Sequence, residues 1–222
     1  MKISPTLTEV KEIAKTGKYD ILPVSCEILS DFITPIEAMR ILQNVSTHCY
    51  LLESAQANEA WGRYTFLGYD PKLEINCIDG HMKLGKLSVE TENPSEYIRQ
   101  ILSEYKSPKF DYLPSFTGGL VGYFSYDYLG YKEKSIRGKA RDTEDFKDVD
   151  LMLFDKVIAF DNLCQKIILI ANMSLDAPET GYNKAIVELK QLRELLMHGE
   201  KKQNMGGKLL GDVTPLFDKE QY

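Results

Sequence analysis

The sequence predicts an α+β fold, a mostly antiparallel β-sheet or sandwich with flanking helices. Three observations predict it. Short apolar runs with period-two alternation recur, as in Lys72-Leu73-Glu74-Ile75-Asn76-Cys77-Ile78. Hairpin-type turns join several of them, Asp79-Gly80 most plainly. Helical patterns fall irregularly between the strands instead of following each one, which argues against a doubly wound parallel sheet. The 222 residues are 43% hydrophobic and 27% charged, so the chain can bury a real core without disulfide staples.

The first element is a short helix. Thr6 and Glu9 have capping-box spacing, Val10, Ile13 and Ala14 share a face, and Gly17 ends it. Tyr19 to Ile28 then reads as extended, with Pro23 marking a sheet edge or a break. Thr34-Pro35-Ile36-Glu37 starts a second helix. The threonine caps it, the proline's missing N–H costs nothing in the first turn, and Glu37 completes the box. Ile36, Met39, Leu42 and Val45 lie near helical spacing and carry this helix to about Asn44.

Cys49 to Ser54 and Arg63 to Gly68 read as neighbouring strands across a polar, Ala-rich turn. The alternating run from Lys72 turns at Asp79-Gly80 into a second one through Met82 and Leu84. Asn93-Pro94-Ser95-Glu96 repeats the cap-proline-x-glutamate pattern, and Tyr97, Ile98, Ile101, Leu102 and Tyr105 form one apolar face. Gly118 to Asp127 is extended and glycine-punctuated. Residues 131–148 are highly charged and read as a loop. Leu151 to Phe160 and Lys166 to Ala171 pair as strands around the turn Asp161 to Gln165. Tyr182, Ile186, Leu189 and Leu192 define a last amphipathic helix, stopped at Gly199. No repeat or compositional break divides residues 1–198. From Glu200 to Gly211 the chain turns polar and Gly-rich, as a linker does. Asp212 to Tyr222 then reads as the entry to a further element that stops mid-pattern, as in a chain cut short.

Composition excludes several functions. The 27 basic and 33 acidic residues leave a net charge of −6, with no dense Lys/Arg block. Nucleic-acid binding needs clustered positive charge to neutralise phosphates, so it is not expected. No apolar run approaches the length of a membrane span, and the N-terminus lacks a basic-then-apolar export signal. A cytoplasmic protein is expected. Cys26, Cys49, Cys77 and Cys164 include no Cys-x-x-Cys pair, and His48, His81 and His198 are scattered, so no metal-ligand spacing is visible. The thiols read as reduced and mostly buried.

Gly118-Gly119-x-x-Gly122 lacks the Gly-Lys-Ser/Thr ending of a phosphate loop, and an extended run follows it rather than a helix. It reads as a bent strand whose glycines let a neighbour approach closely. No Gly-x-Ser-x-Gly occurs. Asp148 and Asp150 could share a strand face and hold a cation, but simple exposure is the plainer reading. Trp61 reads as a packing residue in a turn. Glu53 and Ser54 end the apolar strand Tyr50-Leu51-Leu52, with Arg63 in the strand that follows. Two readings stay open. One is a Glu53–Arg63 ion pair closing a hairpin. The other is a small amino-acid site, with Glu53 for an ammonium, Ser54 as a hydrogen-bonding group and Arg63 for a carboxylate.

Leu51-Leu52-Glu53-Ser54-Ala55, followed by Trp61-Gly62-Arg63-Tyr64-Thr65-Phe66-Leu67-Gly68-Tyr69-Asp70-Pro71, resembles the N-terminal region of anthranilate synthase component I. So does Phe116-Thr117-Gly118-Gly119-Leu120-Val121-Gly122-Tyr123-Phe124-Ser125-Tyr126-Asp127. The resemblance runs from about Tyr19 to about Ala171, and more weakly to the end. It implies the first step of tryptophan biosynthesis, in which chorismate becomes anthranilate and pyruvate. The family uses ammonia from a glutamine amidotransferase subunit, component II, and a bound Mg2+. Its chorismate and Mg2+ residues belong to a C-terminal half without a counterpart here, so no catalytic or metal residue carries over and the chain alone is expected to be inactive. In these terms residues 1–198 are the N-terminal regulatory region, and residues 199–222 are a linker and the start of the catalytic domain.

What carries over from the resemblance is regulatory. The serine of Leu-Leu-Glu-Ser lines the site where L-tryptophan binds as feedback inhibitor, with the glutamate beside it. Those positions are Ser54 and Glu53, and Arg63 is a basic residue of the following strand. Half a slot leaves an indole largely wet, so weak tryptophan affinity is expected for this chain alone. Exposed sheet edges and an apolar face are expected as well. Two other functions fit the pattern: aminodeoxychorismate synthase component I or another chorismate-using enzyme, and a non-catalytic amino-acid-sensing module.

Overall fold

In the computed structural model, the described residues form two antiparallel sheets with four α-helices. The structure describes residues 1–54, 62–133, 135, 146–202, 206–212, 214–215, 217 and 219–220. The α+β expectation holds. The six-stranded sheet is built from β1 (Ile3–Ser4), β2 (Ile21–Leu29), β3 (Cys49–Leu52), β4 (Tyr64–Tyr69), β10 (Lys156–Asp161) and β11 (Lys166–Ser174). Its order is β1-β2-β11-β10-β4-β3. The five-stranded sheet contains β5 (Leu73–Ile78), β6 (His81–Leu84), β7 (Leu87–Glu90), β8 (Gly119–Phe124) and β9 (Val149–Phe154), in the order β7-β6-β5-β9-β8.

Helices α1 (Leu7–Lys15), α2 (Pro35–Val45) and α4 (Pro178–His198) cover one face of the six-stranded sheet. Buried Ile41, Leu42, Leu189, Leu192 and Leu196 pack there on Leu22, Leu67, Ile158 and Leu169. The opposite face packs Val157, Ala159, Ile168 and Ile170 under Phe110, Leu113 and Phe116. Strands β10 and β11 are therefore covered on both faces, which explains their nearly continuous apolar sequence. The second sheet has its own core, Ile75, Cys77, Met82, Val149 and Leu151 under Ile98 of α3 (Pro94–Ser103).

Local chemistry sets the helix starts. Thr6 accepts from the Glu9 N–H while the Glu9 carboxylate accepts from the Thr6 N–H, and Thr34 and Glu37 repeat the arrangement. Replacing Thr34 by alanine leaves the Glu37 N–H without its acceptor. The expected cost is about 1 kcal/mol, read as a lower urea midpoint. The third cap differs from the expectation. Asn93 makes no side-chain cap bond, and its amide donates instead to the Glu96 carboxylate at 2.6 Å.

Three strand expectations are corrected. Residues 151–160 read as one strand, but the chain leaves one sheet at Phe154 and enters the other at Lys156, turning at Asp155. Both halves are apolar, so the run hides the change of sheet. Pro23 marked an edge or break, yet β2 is flanked by β1 and β11. The Ser30 N–H bonds Gln165 O across the same register, so alternation turns the Pro23 position away from β11. On that side β1 pairs only with Ser25 and Cys26, so the missing donor of Pro23 costs nothing. The run Gly118 to Asp127 reads as extended, but β8 ends at Phe124 and the 3-10 turn Tyr126–Tyr131 follows; β7 has no counterpart in the sequence reading.

Candidate functional site

Strands β3 and β4 form an edge hairpin, with Leu51 opposite Leu67 and Leu52 opposite Phe66. Leu51 packs into the helix-covered core, while Leu52 is exposed. Glu53 and Ser54 follow directly and are exposed. Arg63 immediately precedes β4. The fold thus sets these three residues at one end of one hairpin, on the two flanks of its connection. Trp61 lies outside the described residues, as does the run Arg141 to Asp145.

Arg63 turns to a partner that sequence reading missed. Its Nε donates to Asp161 Oδ1 at 3.1 Å and its Nη2 to Asp161 Oδ2 at 2.7 Å, a two-point carboxylate grip. The Asp161 side chain is fully buried, and that of Arg63 is 36% exposed. Asp161 also accepts the backbone N–H groups of Leu163 and Cys164. Burial pushes the Asp161 carboxyl upward, but the Arg63 and Cys164 hydrogen bonds outweigh it and hold the group below the usual carboxylate range. Asn162 completes the weld: its N–H bonds Arg63 O at 2.9 Å and its side chain donates to Thr65 Oγ1 at 3.3 Å. The ion pair that fixes Arg63 therefore joins the edge hairpin to the β10–β11 turn, in place of the Glu53–Arg63 pair considered from the sequence. Asp161 lies 98 residues away in the chain, and no local pattern announces it.

The surroundings of Arg63 are polar and open. Its guanidinium lies 4.9 Å from the Tyr64 ring centroid, and Nη2 is 3.7 Å from Cys164 Sγ. An open hollow of about 600 Å3 lies on the same turn, lined by Leu29, Ser30, Asp31, Asn162, Cys164 and Gln165. Arginine suits a carboxylate ligand because its planar fork offers five donors, and Asp161 engages only two of the three nitrogens.

The other sequence candidates have structural uses. Asp148 accepts from the Tyr131 O–H at 2.7 Å and the Asp79 N–H at 2.9 Å. Asp150 accepts from Lys147 at 2.9 Å. Gly119 and Gly122 of the glycine run lie in β8, and a Cβ at Gly122 would sit 1.9 Å from Asp150 O, the close approach expected of these glycines. Cys26 and Cys77 are buried, Cys49 is half-buried and Cys164 is exposed. Burial pushes the Cys26 thiol up to about 11. Among the described residues, no three His, Cys, Asp or Glu side chains converge as a metal site would require. No helix among them is long and apolar enough to cross a membrane.

Comparison with known proteins adds what this geometry cannot. A family model described as chorismate binding enzyme matches residues 47–222. Anthranilate synthase component 1 of Acetivibrio thermocellus is 34% identical over 198 residues, covering 86% of this chain and 39% of that protein. The protein of the same name from Pseudomonas aeruginosa is 36% identical over 196 residues, covering 85% and 39%. A crystal structure of anthranilate synthase component I from Streptococcus pneumoniae TIGR4 shares 25% identity at a TM-score of 0.49, covering 75% of this chain and 36% of that one. The chain spans about two-fifths of the length of these curated relatives.

Proposed function

This chain belongs to the chorismate binding enzyme family, and on that premise we propose that it is the end-product-sensing region of an anthranilate synthase component I. The observation that carries this reading is the identity of 34–36% with two anthranilate synthase components over about 85% of the chain. The activity of the whole enzyme is the conversion of chorismate to anthranilate and pyruvate. Residues 1–198 are assigned the regulatory role, and residues 199–222 the passage toward a catalytic region. Mg2+ and the chorismate carboxylates are assigned to the part of the relatives that this chain does not span. Ammonia delivery is assigned to a component II glutamine amidotransferase, and the assembly to the cytoplasm.

Within this reading Glu53, Ser54 and Arg63 form one wall of an L-tryptophan site. Chemistry supports the division of roles. A carboxylate at Glu53 suits the ligand's ammonium, the Ser54 hydroxyl can donate or accept, and the Arg63 guanidinium suits its carboxylate. Both Glu53 and Ser54 are exposed, so an indole held by this wall needs apolar cover from elsewhere.

The test pairs the chain with a polypeptide spanning the remainder of a relative and measures inhibition of anthranilate formation by tryptophan. In Ser54→Ala the inhibitory concentration is expected to rise at least roughly ten-fold, because a buried polar contact to the ligand is lost. An unchanged inhibitory concentration in Ser54→Ala and in Glu53→Gln would remove these residues from the site.

A further inference from the structure

A cavity lined by residues of both sheets is left unused by the site described above. The chain crosses from β9 to β10 at Asp155, and a hollow of about 120 Å3 lies beside that crossing. Ile21 of β2, Leu102 of α3, Tyr105, Leu153 and Phe154 give it apolar walls. Its polar groups include those of Lys72, Thr117, Asp155 and Asn172. None of Glu53, Ser54 and Arg63 lines it.

Asp155 carries the first sign of a ligand. Its Oδ1 is buried and has no hydrogen-bond partner. Lys156 Nζ stands 4.0 Å from it and is bonded to Asp70 Oδ2 at 2.8 Å. A buried carboxylate oxygen without a donor is costly, and such groups mark the place of a ligand, an ion or a water. Asn172 is fixed beside it. Its Nδ2 donates to Thr117 O at 2.6 Å and to Asp155 O at 3.0 Å, so both amide N–H groups are used and Oδ1 is left as an acceptor. Gly118 makes this placement possible, because a Cβ there would meet Asn172 Nδ2 at 2.6 Å. The other charge at the cavity is positive. Lys72 is exposed, its Nζ lies 5.3 Å from the Tyr105 ring centroid, and among the described residues it has no carboxylate partner.

We propose that this cavity binds a small zwitterionic α-amino acid of about alanine's size. The ligand's ammonium donates to the Asp155 carboxylate and to Asn172 Oδ1, its carboxylate accepts from Lys72, and the apolar walls take its side chain. Charge selects the class. An anion alone would meet the Asp155 carboxylate, and a cation alone would meet the Lys72 ammonium, so a ligand carrying both charges answers both groups. Volume selects the size. The cavity is about four times the roughly 30 Å3 that a water takes in the liquid, room for about six non-hydrogen atoms and not for an indole side chain. In place and in size the site therefore differs from the tryptophan wall, and it does not depend on that reading.

The experiment titrates the 222-residue chain with L-alanine and follows its backbone amides by NMR. The expected result is a saturable shift at Gly118, Gly119, Asp155 and Asn172, with a dissociation constant on the order of millimolar, the scale of a ligand this small. Methylammonium and acetate each carry half of the ligand's charge and are expected to bind at least roughly ten-fold more weakly. Asp155→Asn and Lys72→Met keep the side-chain shapes and are each expected to weaken L-alanine binding by roughly ten-fold or more. Should a variant fail to fold, the three ligands on the unaltered chain decide alone. No saturable shift would mean that the cavity holds water only and would overturn the proposal. Acetate or methylammonium binding as well as L-alanine would overturn the zwitterion. Shifts confined to the Glu53 and Arg63 flanks, or an affinity unchanged in both variants, would overturn the site.

Discussion

Replacing Asp161 by alanine is expected to destabilise the chain by about 3 kcal/mol, the scale of losing charge-assisted hydrogen bonds to a buried carboxylate. The loss has three parts. Arg63 gives up its two-point grip, and the N–H groups of Leu163 and Cys164 lose their acceptor. The figure stays below the upper range for broken buried pairs because Arg63 is 36% exposed and water can reach it. Urea unfolding should show a lower midpoint with an unchanged slope. An unaltered midpoint would mean that the weld between the edge hairpin and the β10–β11 turn contributes nothing.

The same carboxylate gives the stability an acid dependence of known sign. The folded Asp161 carboxyl titrates below its unfolded value. Its contribution is therefore full above the unfolded pKa of about 3.9 and is lost as pH falls through the lower folded value. Asp161→Asn keeps the shape but cannot ionise. The stability difference between wild type and this variant should shrink as the pH is lowered through that window.

Gly122→Ala is expected to cost about 3–5 kcal/mol, the sum of backbone strain and overpacking. Gly122 has φ of 153°, and a Cβ there would sit 1.9 Å from the Asp150 carbonyl oxygen. Asp150 lies in β9, the strand to which β8 is bonded, so the backbone itself blocks the methyl group. β8 should separate from β9, and amide protection at Val121 and Tyr123 should fall before that of β5. Gly206→Ala is the control. A Cβ there meets nothing within 4 Å, and the cost should stay within about 0.5 kcal/mol. Equal stability of the two variants would contradict the close approach at Gly122.

Much of this architecture is legible in the sequence because its signals are local. Thr6, Glu9, Thr34 and Glu37 set two helix starts through bonds that span only three residues. Asp79 and Gly80 supply the positive φ values, 48° and 82°, that the β5–β6 turn needs. What escapes is set at a distance. The break at Asp155 is invisible because β9 and β10 are both apolar, and only the separate pairings with β5 and β4 reveal two sheets. Pro23 sits in an inner strand because its neighbour β1 is two residues long. In the candidate site the sequence places Glu53, Ser54 and Arg63 near one hairpin turn. It contains no local sign that Asp161 claims the guanidinium.

That claim bears on ligand chemistry. An arginine already gripped by a buried carboxylate is held in place before any ligand arrives, which lowers the ordering cost of binding. The same grip neutralises part of its charge, so in the proposed tryptophan site Arg63 is assigned the part of an orienting donor and not that of the sole counter-charge.

The central claim is that this chain senses end product while bond breaking belongs to polypeptide that it does not include. Its most direct test is anthranilate fluorescence from the purified 222-residue chain supplied with chorismate, ammonia and Mg2+. The account predicts no formation above the chain-free background. Sustained, chain-dependent anthranilate formation would contradict it.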